Sequence, residues 1–174
     1  MKYLLILVLI FGVTSLGAIE LKSYENSEKG FTLSYPEDWQ IEEIDLGIVL
    51  SSVPGFFDLK EKGAGVFLFI QNIEDMSMEN TPQTNRDIWE EMKKSNPAFE
   101  EKSAKDIQWL GKVWLVTEFH EKNDDSNAVF YILMDNDLVY FVGCVYHPSA
   151  AEADFRPVVE EILKTIHFKT FEKK

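Results

Sequence analysis

One cysteine, three histidines and 17 lysines and arginines are all that 174 residues hold of these types, and each scarcity excludes something. With Cys144 alone, no intramolecular disulfide can form, so the fold must rest on an apolar core. No cysteine lies near the N-terminus to take a lipid, which argues against a lipoprotein. The basic residues face 30 Asp and Glu, a net charge of −13. No Lys/Arg run offsets that charge, and it repels phosphate backbones and anionic head groups, so nucleic acid is not an expected partner. Acidity on this scale keeps a protein soluble, and a partner, if charged, would be basic. No repeat with a period of 20–50 residues and no low-complexity stretch divides the chain.

Chemistry is equally sparse. His120, His147 and His167 have no metal-ligand spacing, and neither G-x-S-x-G nor a glycine-rich phosphate loop occurs. Asp135-Asn136-Asp137 opens like a calcium loop. Val139 and Tyr140 then occupy the next ligand and glycine positions, and no Glu follows at the twelfth. That cluster and Asn123-Asp124-Asp125 read as turns. Cys144 and His147 form a C-x-x-H, but on a strand residues three apart point to opposite faces. The thiol reads as buried and inert. No catalytic residue, cofactor or metal is assigned.

The N-terminus has the pattern of a targeting segment. Lys2 is followed by an apolar run from Tyr3 to Val13 interrupted only by Gly12, and then by small residues up to Ala18. Tyr3 to Ala18 is 16 residues, short of the roughly 20 a spanning helix needs. A signal peptide over 1–18, cleaved after Ala18, is therefore expected, with an uncleaved anchor as the alternative. Without those residues the chain keeps 16 basic against 30 acidic residues, a charge of −14. The expected mature protein is one exported domain, 19–174, periplasmic or secreted, with no stable membrane span.

Within that domain, Gly30 to Tyr35 alternates apolar and polar residues as a half-buried strand does, and Pro36-Glu37-Asp38 turns Trp39 into the next short strand. Ile48 to Ser52 is a further strand. Ala64 to Ile70 is apolar on both faces, which predicts a central strand, with Gly63 and Gly65 letting it begin. Thr81-Pro82 announces a helix with Pro in its first turn, Ile88, Trp89 and Met92 as its apolar stripe, and Asn96-Pro97 as its end. Lys112 to His120 is a strand with Val113, Leu115, Thr117 and Phe119 on one face. Ala128–Met134 and Leu138–Val145 flank Asp135-Asn136-Asp137 as an antiparallel hairpin. Ser149 with Glu152 is a possible capping box and Asp154 a second candidate cap for the last helix, and Pro157 decides for a start near Asp154, with Pro157 in the first turn. Phe155, Val158, Val159, Ile162 and Ile166 line its inner face, and Thr165 to Phe168 closes as a short strand. Strands, helix, strands, helix is the pattern of an α+β domain with helices packed on a central antiparallel sheet.

Particular residues carry a resemblance. Tyr24, then Gly30-Phe31-Thr32-Leu33-Ser34-Tyr35-Pro36-Glu37-Asp38-Trp39, resembles the opening of the PsbP-like superfamily (the PsbP/Mog-type fold). Phe155-Arg156-Pro157 through Ile162-Leu163-Lys164-Thr165-Ile166-His167-Phe168 is similar to its last helix and strand, and Leu110-Gly111-Lys112 opens a strand on the same plan. The likeness spans about residues 22–170 and suggests an exported bacterial member. It implies an antiparallel sheet sandwiched by helices, α/β/α, and a habit of protein–protein interaction. The photosynthetic members dock through basic side chains, so in this acidic chain it does not imply photosystem binding.

One segment stands out as a contact candidate. In Val53-Pro54-Gly55-Phe56-Phe57-Asp58-Leu59, adjacent phenylalanines cannot both face inward in an extended chain, so Phe56 or Phe57 is a candidate partner-binding anchor. The alternative is that both fold back over a sheet edge. The expected function is an extracytoplasmic, non-enzymatic accessory protein acting on an unknown protein partner. The alternative is a small-molecule or cation binder using a cleft between sheet and helix.

Overall fold

The antiparallel pattern expected of the second half extends to every pair of described strands in the computed structural model, which describes residues 20–54, 62–72, 82–135 and 137–171. The strands are β1 (Leu21–Asn26), β2 (Phe31–Pro36), β3 (Gln40–Ile44), β4 (Gly47–Ser51), β5 (Gly63–Asn72), β6 (Phe99–Trp109), β7 (Lys112–Glu121), β8 (Ser126–Asp135), β9 (Leu138–His147) and β10 (His167–Phe168). The helices are α1 (Pro82–Ser95) and α2 (Glu152–Lys164). Seven strands form one sheet in the order β3-β4-β5-β9-β8-β7-β6, and β1-β2-β10 form a second. Among the described residues no helix is long and apolar enough to cross a membrane.

The middle strands of the large sheet are buried on both faces and alternate between two cores. On one face Ala64, Val66, Leu68, Tyr140, Val142, Cys144 and Tyr146 meet Val159 and Ile162 of α2 and Phe31, Leu33 and Phe168 of the small sheet. On the other, Leu115, Phe119, Phe130 and Ile132 meet Trp89 of α1. The order of layers is thus α1, the seven-stranded sheet, then α2 with the small sheet. β5, with β4 on one side and β9 on the other, occupies the central position its two-sided apolar sequence predicts. In β7, Leu115, Thr117 and Phe119 face α1, while Trp114 and Val116 enter the α2 core.

Polar side chains fasten the helices. Asn85, 1% exposed, accepts the Met134 amide through Oδ1 at 2.8 Å and donates from Nδ2 to the Val113 carbonyl at 3.3 Å. Thr165 Oγ1 accepts the Ser34 amide at 2.8 Å, joining the end of α2 to β2 beyond the short β10 pairing.

Three elements differ from the sequence expectation. β1 and β6 were not expected as strands, because both are edges whose residues are largely exposed and polar. A charged edge resists pairing with other chains and so lacks the apolar signature of a strand. β6 is tied to β7 by the two-residue turn Leu110-Gly111, both at positive φ (51° and 75°), the geometry that matches strand twist. The third difference is α2, which begins at Glu152 rather than near Asp154, after a 3-10 turn at Ser149–Ala151, so that Pro157 lies inside the helix. No side chain caps it, neither the Ser149 and Glu152 box nor Asp154. The Ser149 hydroxyl donates to Asp125 Oδ1 at 2.9 Å, and the Glu152 carboxylate accepts from Asn127 Nδ2 at 2.7 Å and from Arg156. Pro157 and Ala153, the residue whose carbonyl it leaves without a helical donor, are both exposed, so water can satisfy that group.

Candidate functional site

Where α1 ends, the face it covers is left open, and a cleft of about 370 Å³ lies there. Strand register explains its lining. Phe99 of β6 pairs with Glu121 of β7, which pairs with Ser126 of β8. One row further in, Phe119 pairs with Ala128, and Ala128 with Val145. Next come Phe130, Gly143 and Phe67. Residues two apart on paired strands share a face, so these side chains all point to the α1 side. Small residues in the middle of the rows, Ser126 and Ala128, leave the recess between larger ones. Phe119 and Phe130 are the floor, with ring centres 4.5 Å apart, and Phe99 lies 4.3 Å from Phe119. Phe99 and Phe67 are partly exposed, and Asn96 at the end of α1 forms one wall.

The opposite rim is acidic. Glu121, 8% exposed, accepts the backbone N–H of Asn123 at 3.3 Å and of Asp124 at 2.8 Å, which folds the β7–β8 turn around its carboxylate. Asp124 is exposed beside it, its carboxyl held above the ordinary range by lost solvation and by the Glu121 charge. No ion pair among the described residues includes Glu121 or Asp124, and Lys122 between them turns away to Glu100 at 3.4 Å. The result is an apolar aromatic floor with two carboxylates at its edge that enter no ion pair among the described residues.

Other sequence candidates lie elsewhere. Cys144 faces the α2 core at 1% exposure, and burial pushes its thiol up to about 12. His147, an odd number of residues further along β9, belongs to the opposite face, so the C-x-x-H pair does not converge. Cys144→Ser should cost about 1–3 kcal/mol if the hydroxyl finds no partner. Thiol labelling of the native protein should stay slow at neutral pH, and a rapid reaction would show a reactive site. His120 Nδ1 lies 3.2 Å from Asn127 Oδ1, and His167 is exposed. Among the described residues no group of three or more His, Cys, Asp or Glu could hold a metal. Phe56 and Phe57 lie outside the described residues. The sequence singled out none of the cleft residues as a site, although Phe119 was placed on its correct face, Asn96 at the end of its helix, and Asn123 and Asp124 in their turn. Only the register joins Phe99, Phe119 and Phe130.

No protein-family model and no curated protein sequence matches the chain. Solved structures do. PsbP (CyanoP) of Synechocystis sp. PCC 6803 superposes with a TM-score of 0.60 at 11% identity, covering 88% of this chain and 95% of that one. The chain has the PsbP/Mog1-like fold. The Ran-binding protein Mog1p of Saccharomyces cerevisiae shares it, at a TM-score of 0.54 and 12% identity over 87% of this chain and 97% of that one. So does PA94 of Pseudomonas aeruginosa, at 0.54 and 14% over 83% and 94%. At these identities the likeness concerns the PsbP/Mog1-like fold alone, and the resemblance in the opening and closing segments is one of architecture.

Proposed function

We propose that this chain is an extracytoplasmic, non-enzymatic accessory protein that works by protein–protein contact, and that the cleft beyond α1 is the seat of that contact. The observation that carries the proposal is the combination of ring faces left uncovered beside Asn96 with acidic groups that enter no ion pair among the described residues. Apolar pockets with a polar rim are what a partner's anchoring side chain fills. That Mog1p, of similar fold, is a Ran-binding protein supports a contact role by analogy only. The alternative, a small-molecule or cation binder in a sheet–helix cleft, rests on the same volume, which falls at the small end of the ligand-pocket range.

A photo-crosslinking residue at position 96, in the native host, tests the reading. Adducts of defined protein mass are expected at 96 and not at 161, an exposed position on α2. Adducts at 161 with none at 96 would place the contact elsewhere. N-terminal sequencing of the same material tests export, and intact Met1 in the mature pool would overturn cleavage at Ala18.

A further inference from the structure

The charge at the cleft has a consequence for what enters it. We infer that the cleft receives a basic side chain, Lys or Arg, presented by the partner. This rests on the contact reading above and adds the chemistry of the occupant. Glu121 and Asp124, three residues apart on one turn, enter no ion pair among the described residues, and Lys122, between them in sequence, is engaged with Glu100. Glu121 is fixed by two backbone N–H groups, so it cannot swing out to solvent, and Asp124 is held next to it by the same turn. Like charges kept this close raise the cost of the unliganded state, and a cation between them relieves it.

The floor selects among cations. A hydrated inorganic ion gains nothing from Phe119 and Phe130, whereas the methylene stem of Lys or the flat guanidinium of Arg covers ring faces while its charge reaches the rim. Two carboxylates also fall short of the six to eight oxygens calcium prefers. An uncharged apolar anchor would fill the floor but leave the rim carboxylates desolvated and unpaired. The acidic balance of the whole chain, −13, would draw a basic surface toward the site.

The test is a titration of the full mature chain followed by amide NMR shifts at Phe99, Asn123, Asp124 and Phe130. The probes are methylguanidinium, butylammonium, butanol and calcium chloride. Concentrations run up to about 100 mM, enough to register the weak affinity of a single side chain. The two organic cations should shift the cleft amides and saturate, with butanol at least about fivefold weaker. Asp124→Asn keeps the backbone N–H that binds Glu121 and should weaken the cations by a similar factor, whereas Glu161→Gln should change nothing. Equal binding of butanol, or a calcium response that exceeds both organic cations, would overturn the inference, as would no cleft shift with any probe. Crosslinks at position 96 that persist without cation binding would sink this inference alone. Cation binding without such crosslinks would sink the contact reading instead.

Discussion

Trp89→Ala should lower the stability of the domain by about 3–5 kcal/mol, the range for deleting a large buried aromatic. Trp89 is 2% exposed and is the residue through which α1 grips the sheet. Its ring lies 5.3 Å from Phe119, 6.0 Å from Phe99 and 6.3 Å from Phe130. The indole N–H also donates to Glu101 Oε2 at 2.7 Å, the oxygen that receives Lys93 Nζ at 2.7 Å. Those two donors hold the Glu101 carboxyl below its ordinary range. Truncation removes the packing and leaves Glu101 with the lysine alone. Urea unfolding should show the loss as a lower midpoint. Trp89→Phe separates the two contributions, because it keeps most of the ring contact and loses the indole donor, and should cost about 1 kcal/mol. The same rings back the cleft, so Trp89→Ala should also weaken whatever the cleft binds. If the alanine variant melts with the parent, α1 is not held by this residue.

Gly47→Ala should be nearly as damaging, about 3 kcal/mol, the upper end of what overpacking costs. The cause is backbone rather than side chain. A Cβ built at Gly47 would fall 1.9 Å from the Leu68 carbonyl oxygen and 3.0 Å from its carbon. That oxygen belongs to β5, which pairs with β4 through Gly47↔Phe69 and Ile48↔Leu68. Moving it would disturb a central strand that also pairs along its length with β9. The neighbouring bond from the Ile70 amide to the Leu46 carbonyl, at 3.0 Å, closes the same corner and leaves no slack. Thermal unfolding is the measurement, and a melting temperature within a degree or two of the parent would show that the strands separate more easily than the geometry implies.

Trp89 was legible as part of the apolar stripe of α1, but the rings it packs on and the close approach at Gly47 were not, and the reason is the same for both. Local pattern carried far where one element's own residues decide its state. The two-sided apolar run at Ala64 to Ile70 marked a central strand, Pro82 and the stripe of Ile88, Trp89 and Met92 marked α1, and the hairpin around 135–137 followed from its turn residues. The pattern failed at β1 and β6, whose exposed, charged edges look like loops until a partner strand is known, and at the start of α2, where Ser149 and Glu152 serve Asp125 and Asn127 instead of the helix end. The cleft lies wholly on that second side. Phe99, Phe119, Glu121 and Phe130 meet because β6, β7 and β8 pair in one register, and a shift of one residue would send each side chain to the other face. By itself the sequence determined the charge, the single buried thiol, the type of most elements and which of their faces is apolar, since these follow from residue chemistry and period. Tertiary structure alone decided strand order, register and where α1 stops covering the sheet, because those depend on hydrogen bonds and packing between segments far apart in the chain.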